Sequence, residues 1–364
     1  MMNIPYLSLQ KVTEMHLEEI CQATDRVVRG GWYLLGEEVK AFEEEYARFT
    51  GAEHCISCAN GLDALTLTLR AYKELGLLHE GDEVLVPSNT FIATVLSITE
   101  NGLKAVAMPP VAPLNVETID MESLITPRTK AVIIVHLYGF NAWNEKVSQM
   151  CRKHGLLLIE DCAQKHDQMK HEGTACWSFY PGKNLGALGD AGAVTTDNAV
   201  LANTIRALAN YGTTRKYVSD YLGRNSRMDE LQAAVLRVKL RYLNADNARR
   251  QTIARQYIDN VKNPLITLPQ WADDAVWHIF PIFAEKRDNL QQYLTAKGIG
   301  TNIHYPIPPH RQKCYANGGL TIDEQTARLT ERISEQELSI PCNQTMTPEE
   351  VQYVIDNLNA WNGE

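Results

Sequence analysis

Short apolar runs alternate with amphipathic segments through much of the chain. Runs rich in valine, isoleucine and leucine predict strands that are buried on both faces, as in a mainly parallel sheet covered by helices. These predicted strands lie at 54–59, 83–88, 104–108, 131–139, 156–163 and 191–196. Helical patterns separate several of them, at 61–75, 89–102 and 147–155. The alternation predicts an α/β fold.

Mostly helical patterns flank this region. The residues up to about 50 predict helices, and Gly51 suits a helix stop. A long helical pattern at 229–261 leads into the C-terminal part of the chain. That part contains one strand pattern and two helical patterns, at 277–284, 289–298 and 347–361. It therefore predicts a smaller α+β unit.

The length of 364 residues suits about two domains. We predict a large α/β domain over residues 1–240, including the N-terminal helical segment. A smaller C-terminal α+β domain is predicted over residues 241–364.

Charge and hydropathy exclude some functional classes. The net charge of −9 argues against a general nucleic-acid binder, although a local pocket can still bind a small anion. No apolar run approaches the roughly 18–20 residues that span a bilayer. The N-terminus has no secretory pattern. We therefore expect a cytoplasmic protein that binds neither nucleic acid nor membrane.

The eight cysteines are scattered along the chain. Cys55 and Cys58 form one C-x-x-C pattern, but no second ligand pair follows at zinc-finger spacing. A packing role is favoured over a metal or redox role, and no metal is expected.

A carboxylate follows one of the buried strands. Asp161 stands where the run LLLIED ends, and ligands of open α/β sheets gather at the carboxyl ends of strands. In pyridoxal-phosphate (PLP) enzymes such an acid pairs with the protonated ring nitrogen. Gln164 follows three residues later and is placed to reach the ring hydroxyl. Taken alone, a strand-end aspartate that caps the next turn is the favoured interpretation of Asp161.

A lysine with apolar neighbours follows Asp161 along the chain. Lys183 lies in the loop SFYPGKNLG, and desolvation there would favour the neutral amine that forms a Schiff base. Ser178, five residues earlier, offers a hydroxyl to a phosphate. The lysine and the strand-end acid together indicate PLP chemistry more strongly than either does alone.

Two further positions suit the same cofactor. Gly61 lies at a strand–helix junction, where free backbone N–H groups and the helix dipole bind anions such as phosphate. Phe91 follows the predicted strand at 83–88 and offers an aromatic face to the ring. A simple turn and a core phenylalanine remain the alternatives for these two residues.

Five blocks in order carry a family resemblance: NGLDAL, PSNTFIAT, IEDCAQ, SFYPGKNLG and GRNSRMDELQAA. With them the chain resembles the DegT/DnrJ/EryC1/StrS sugar aminotransferases, which are PLP-dependent transferases of fold type I. The resemblance covers nearly the whole chain. It implies a mainly parallel seven-stranded sheet in the large domain and a homodimer with active sites at the subunit interface.

The resemblance also implies roles for individual residues. Lys183 would hold PLP and shuttle protons, with pyridoxamine phosphate as the intermediate form of the cofactor, and Asp161 would hold the ring nitrogen. The other implied cofactor residues are Gly61, Leu62 and Ser178 at the phosphate, Phe91 over the ring, Gln164 at the ring hydroxyl, and Asn225 reaching the phosphate from the neighbouring subunit. Beside these implied roles, Tyr180 is a candidate for positioning the sugar or relaying a proton, and His304 and His310 are candidates for lining the sugar pocket. Packing is the alternative for the tyrosine, and a structural or solvated role is the alternative for each histidine.

Segments 31–39, 60–65 and 304–310 look most like the branch that acts on dTDP-linked 3-keto-6-deoxyhexoses. This likeness implies transfer of an amino group from L-glutamate to C3, giving a dTDP-3-amino-3,6-dideoxyhexose and 2-oxoglutarate. The expected pathway is polysaccharide (O-antigen) or antibiotic-sugar synthesis. Amination at C4 of a dTDP- or UDP-linked 4-keto sugar is the alternative within the family.

Other functions are less well supported. Relatives that deoxygenate C3 carry histidine in place of the lysine, so Lys183 argues against that reaction. A non-catalytic sugar-nucleotide binding or regulatory protein is a remote alternative. Its support is a loop at 165–177 that is shorter than usual for the family. The segment 108–121 also lacks the family's acidic Pro-Asp stretch.

Overall fold

The computed structural model describes residues 2–110, 121–168 and 172–364. The helices of these ranges are α1 Leu9–Glu14, α2 Leu17–Gly30, α3 Glu37–Thr50, α4 Gly61–Glu74, α5 Ile92–Glu100, α6 Glu145–His154, α7 Ala199–Ala209, α8 Glu230–Leu240, α9 Leu243–Asn260, α10 Arg287–Ala296, α11 Glu324–Gln336 and α12 Pro348–Ala360. The strands are β1 His54–Cys58, β2 Glu83–Pro87, β3 Lys104–Met108, β4 Thr129–Val135, β5 Leu157–Asp161, β6 Thr174–Ser178, β7 Gly192–Thr196, β8 Thr213–Arg215, β9 Val218–Ser219, β10 Phe280–Phe283, β11 Leu320–Thr321 and β12 Glu337–Ile340.

The main sheet has the strand order β1-β7-β6-β5-β4-β2-β3-β11. Every neighbouring pair is parallel except those of β7, which runs antiparallel to both β1 and β6. The predicted mainly parallel α/β fold is confirmed. The sheet has one strand more than the seven predicted, because β11 joins its edge from the C-terminal part of the chain. A strand of two residues carries no readable periodicity.

Alternate residues of the central strands pack against different helical layers. Val84 and Ile133 lie in the apolar cluster that includes α4 and α5, whereas Leu85 and Val132 lie in the cluster that includes α6. Side chains of successive strand residues point to opposite faces. The continuous apolar runs in the sequence therefore reflect a sheet covered on both sides.

The two cysteines of the C-x-x-C pattern lie in β1 and face opposite ways. Cys55 packs in the cluster that contains α3, whereas Cys58 packs in the one that contains α4. Both thiols are free and buried, and burial raises the pKa of each well above its usual value. Their side chains fill the two faces of the sheet and cannot join in one ligand pair.

The C-terminal part contains a small antiparallel sheet of β10 and β12. The predicted long helix at 229–261 is interrupted, since α8 ends at Leu240 and α9 begins at Leu243. The largest apolar cluster includes residues from both sides of this break, and Ile4 bridges to Ile299. The division into 1–240 and 241–364 therefore stays a prediction.

The two segments in which the sequence differs from the usual family pattern lie partly outside the described residues. The segment 108–121 includes the undescribed residues 111–120, and the loop 165–177 includes 169–171. Within the ranges that are described, no helix has the length and apolar character needed to cross a membrane.

A buried carboxylate caps the N-terminus of α3. Glu230 is 3% exposed and accepts hydrogen bonds from the backbone N–H groups of Gly36, Glu38 and Val39 at 2.7, 2.8 and 3.1 Å. These are among the donors that a helix start leaves without intrahelical partners. A negative charge is favourable at this end of the helix dipole.

Replacing Glu230 with alanine should therefore lower the free energy of unfolding by about 2–4 kcal/mol, because three backbone donors, two of them buried, lose their acceptor. Urea denaturation measures the change. Glu37→Ala, at an exposed position of the same helical turn, is the control and should shift stability by less than about 0.5 kcal/mol. Equal effects of the two substitutions would contradict the capping role.

Candidate active site

Several strands deliver polar residues to one edge of the main sheet. β1, β2, β4, β5 and β6 all run in the same direction, so their carboxyl ends meet there. A cavity of about 360 Å³ opens at this edge. Nine of the predicted site residues line it: Gly61, Leu62, Phe91, Asp161, Gln164, Ser178, Tyr180, Lys183 and His304.

Asp161 is the last residue of β5 and is 6% exposed. Its Oδ2 accepts a hydrogen bond from the Thr94 hydroxyl at 2.8 Å, and its Oδ1 accepts one from the Ala163 backbone N–H at 3.1 Å. Burial raises the pKa of Asp161, while these hydrogen bonds and the nearby Lys183 oppose the rise. The carboxylate is thus oriented from two sides and favours a cationic partner in the cavity.

Lys183 lies in the tight loop that follows β6. Its backbone N–H donates to the Tyr180 carbonyl at 2.8 Å. At Gly186 an added Cβ would lie 2.3 Å from the Pro181 carbonyl oxygen, so this turn requires glycine. Burial lowers the pKa of the Lys183 amine to about 8, and the charge of Asp161 opposes the shift. Part of the amine is therefore neutral near physiological pH and available as a nucleophile.

The N-terminus of α4 forms the opposite wall. The Asn60 side chain accepts from the Asp63 N–H at 2.8 Å, and the Asn60 carbonyl accepts from Ala64 at 3.0 Å. The N–H groups of the first helical residues, Gly61 and Leu62, are those that a helix leaves free for an anion. An added Cβ at Gly61 would lie 2.6 Å from the Ser178 Cβ, so these residues form one close-packed cradle.

Gln164 is fixed by two hydrogen bonds. Its Oε1 accepts from the Tyr138 backbone N–H at 2.5 Å, and its Nε2 donates to the Tyr305 hydroxyl at 3.0 Å. Only the amide nitrogen retains a proton that can reach a ring hydroxyl. The Phe91 ring is half exposed and lies 5.2 Å, centroid to centroid, from that of Tyr305. The two aromatic rings form an apolar wall of the cavity.

His304 is held by a buried network at the cavity wall. Its backbone N–H donates to a carboxyl oxygen of Glu337 at 2.6 Å, and its Nδ1 lies 2.7 Å from the Ser339 hydroxyl, which is also hydrogen-bonded to Glu337. Burial lowers the pKa of His304 to about 4 and raises the pKa of Glu337 to about 8. The imidazole is therefore neutral at physiological pH.

Two predicted residues do not line this cavity. His310 is engaged by Glu331, with its Nε2 2.9 Å from the carboxylate, so the structure does not bring it to the site. Asn225 lies in the loop before α8, where it bridges to Asn210. Its predicted contact from a neighbouring subunit stays a prediction.

The sequence reasoning missed Thr94 and Tyr305. Thr94 ends the block PSNTFIAT, and Tyr305 lies in the segment 304–310. Their roles depend on contacts with Asp161 and Gln164, 67 and 141 residues away in the chain. One feature of the sequence that could have pointed to Thr94 is its spacing of four residues from Thr90. Their hydroxyls lie 2.7 Å apart, one helical turn from each other.

The cavity residues fit PLP by the chemistry of their donors. The cradle suits a phosphate, Asp161 suits a protonated ring nitrogen, and the desolvated Lys183 suits an aldehyde. Gly61 in particular has room for no side chain. A mainly parallel sheet with these groups at its carboxyl edge defines a PLP-dependent enzyme of fold type I.

The comparisons with known proteins agree. The model of the DegT/DnrJ/EryC1/StrS aminotransferase family matches residues 15–359. The chain is 46% identical, over 98% of its length and 99% of the relative, to dTDP-3-amino-3,6-dideoxy-alpha-D-galactopyranose transaminase of Aneurinibacillus thermoaerophilus. It is 45% identical, over 99% of its length and 100% of the relative, to the erythromycin biosynthesis sensory transduction protein EryC1 of Saccharopolyspora erythraea.

Among solved structures, the chain is similar to S. venezuelae DesV in complex with a ketimine intermediate. The TM-score is 0.92 at 38% identity, and the match covers 99% of each chain. The chain belongs to the DegT/DnrJ/EryC1/StrS aminotransferase family. It is a sugar aminotransferase, and its cofactor is PLP.

The Thr94 hydroxyl should hold Asp161 in its charged form. Thr94→Val removes the hydrogen bond that lowers the pKa of Asp161, so this pKa rises and the acid stays protonated to a higher pH. We expect the acidic limb of the kcat/KM profile to move to higher pH and the affinity for PLP to fall by about tenfold. Thr94→Ser keeps the hydroxyl and should behave as the unmodified enzyme. An unchanged profile in Thr94→Val would contradict this role.

Proposed function

We propose that the enzyme transfers the amino group of L-glutamate to C3 of a dTDP-linked 3-oxo-6-deoxyhexose. The products are a dTDP-3-amino-3,6-dideoxyhexose and 2-oxoglutarate. The observation that carries the proposal is the placement of Lys183 and the buried Asp161 in one cavity beside the anion cradle of α4. The name of the Aneurinibacillus relative, similar along nearly the whole chain, supports the choice of sugar and of C3.

In this proposal the cavity residues hold PLP in a fixed orientation. The N–H groups of Gly61 and Leu62 and the hydroxyl of Ser178 bind its phosphate, and Asp161 pairs with its ring nitrogen. Gln164 contacts the ring hydroxyl through its free amide proton, and Phe91 covers the ring. When bound, PLP supplies an electron sink that stabilises negative charge at the reacting carbon.

Lys183 moves the protons of the reaction. Its Nζ accepts the proton from the α-carbon of L-glutamate and, in the second half of the reaction, gives a proton to C3 of the sugar. One amine serves as base and acid, so a pKa near the working pH is required. The value of about 8 that burial gives Lys183 meets this requirement.

The sugar would lie between Tyr180 and His304 at the cavity mouth. Tyr180 is 56% exposed there, and its phenol is available to a hydroxyl group of the substrate. His304 is neutral and held by Glu337 and Ser339, so it offers a fixed polar edge without charge. A neutral hydrogen-bonding residue suits an uncharged deoxysugar.

We also propose that the enzyme acts as a homodimer in the cytoplasm and serves polysaccharide or antibiotic-sugar synthesis. Trp32, Tyr33, Tyr211 and Leu222 expose between 52% and 85% of their surface. Exposed apolar side chains mark an interaction surface where they form a contiguous patch. Tyr211 is bonded through its backbone N–H to Arg224, next to Asn225, so the Asn225 loop lies beside this surface. Asn225 would thereby reach the phosphate of the partner.

Two other functions remain candidates. Amination of C4 in a dTDP- or UDP-linked 4-keto-6-deoxyhexose would use the same cofactor residues, and only the sugar would bind differently. A regulatory role is suggested by the name of the Saccharopolyspora relative. The lysine, the acid and the cradle together favour catalysis over that role.

The absorbance spectrum of the PLP-loaded protein tests the first half-reaction. L-Glutamate should convert the visible band to that of the pyridoxamine form, and Lys183→Ala should abolish the conversion because no base remains. The enzyme in its pyridoxamine form is then mixed separately with a dTDP-3-oxo and a dTDP-4-oxo sugar. We expect the visible band of the PLP form to return with the 3-oxo sugar. Return only with the 4-oxo sugar would overturn the C3 assignment. No response to glutamate would overturn the choice of donor.

A further inference from the structure

A second cavity adjoins the first across Lys183. It has a volume of about 330 Å³, within the range of roughly 300–1,000 Å³ typical of small-molecule sites. Lys183, Tyr180 and His304 line both cavities. The second cavity extends from them towards the N-terminal segment, α9 and the C-terminal part of the chain. A ligand in it would lie beside the reactive amine.

The charge of this second cavity is unlike that of the chain as a whole. Of the described residues, no aspartate or glutamate lines it, although the chain carries a net charge of −9. Its basic side chains are Arg250 and Lys183, and part of the Lys183 amine is neutral near physiological pH. The two histidines at its wall, His278 and His304, have pKa values lowered by burial and are neutral at physiological pH. The cavity therefore attracts an anion.

Arg250 lies on α9 and is only 3% exposed. Its Nη1 donates to the carbonyls of His278 and Cys342 at 3.2 and 2.6 Å. Its Nε is buried and has no hydrogen-bond partner among the described residues. In the part of the chain that the structure describes, no carboxylate lies within 4.0 Å of the guanidinium, and Asp246, one turn earlier on α9, acts on it only from a greater distance. A buried charge of this kind is costly unless it is paired.

The uncommitted donors of Arg250 have the geometry of a carboxylate site. Its two hydrogen bonds use only Nη1, which leaves Nε and Nη2. These two nitrogens form one edge of the planar guanidinium, the edge that binds a carboxylate through two parallel hydrogen bonds. Tyr6, Asn302 and Asn343 add neutral polar groups to the same cavity.

We propose that the second cavity is the binding site of the amino donor and that Arg250 binds one of the donor's carboxylates. This inference rests on the proposed function, which supplies L-glutamate as a dicarboxylate. The donor's amino group would face Lys183 at the junction of the two cavities, where the cofactor is held. Arg250 would then determine the specificity for a carboxylate-bearing donor without contacting the sugar.

Binding of glutarate to the PLP-loaded enzyme tests this site. Glutarate carries both carboxylates but no amino group, so calorimetry reports binding without turnover. Arg250→Gln should weaken glutarate binding by about 10- to 100-fold, as expected for loss of a charge-assisted bidentate contact. Arg249→Gln is the matched control. Arg249 is the next residue on α9, donates to the Met346 carbonyl at 2.8 Å and does not line the cavity, so glutarate binding should not change.

A second titration separates the donor from the sugar nucleotide, whose diphosphate is also anionic. Arg250→Gln should leave dTDP binding unchanged if the carboxylate is the true ligand. Three results would overturn the proposal. They are weaker dTDP binding with unchanged glutarate binding, equal weakening of dTDP and glutarate binding, and unchanged binding of both ligands. If Arg250→Gln does not fold, Arg250→Lys can be used instead. It keeps the positive charge but loses the paired guanidinium N–H groups that bind a carboxylate through two hydrogen bonds. It should still weaken glutarate binding by about tenfold, and unaltered binding would count against the proposal.

This test can fail separately from the proposed function. Glutarate binding that depends on Arg250, in an enzyme that does not aminate a 3-oxo sugar, would support the donor site and reject the acceptor. Normal amination of that sugar by glutamate, with glutarate binding that does not depend on Arg250, would support the function and reject the site.

Discussion

The site depends on a carboxylate and an amine that line the same cavity, Asp161 at the end of β5 and Lys183 in the loop after β6. Burial destabilises the charged form of both groups, so it raises the pKa of Asp161 and lowers that of Lys183, while their mutual attraction opposes both shifts. The balance leaves the acid ready to pair with a cationic ring and the amine close to its titration point. Neither property would persist on an exposed loop, where water would restore the usual pKa values.

The sheet and its helices maintain this balance. β5 places Asp161 at the edge where α4 presents its N-terminus, and α5 supplies the Thr94 hydroxyl that orients the acid. On the opposite side, the C-terminal part of the chain contributes His304 with its buried partners. His304 is thus a neutral neighbour of the reacting amine, and Asp161 is its acidic one. In the proposed account, the positive charge of Arg250 binds a carboxylate of the amino donor.

Local sequence patterns were enough to predict those site residues whose placement depends on a single short segment of the chain. Asp161 could be predicted because it ends an apolar strand, and Lys183 because its loop is apolar and rich in turn residues. Thr94, Tyr305 and Arg250 could not be assigned, because their roles arise from contacts between segments far apart in the chain. His310 lies near His304 in sequence, yet its contact with Glu331 keeps it out of the cavity. The same limit applies to β11, whose partner β3 lies more than two hundred residues earlier.

The titration of the Lys183 amine is the most direct test of this electrostatic account. Its pKa can be followed in cofactor-free protein by NMR of isotope-labelled lysine, with Lys183→Arg to assign the signal. The account predicts a midpoint of about 8. It also predicts a lower midpoint in Asp161→Asn, because the charge of Asp161 favours the protonated amine. A midpoint near the ordinary lysine value of 10.5, or one unaffected by Asp161→Asn, would contradict the account.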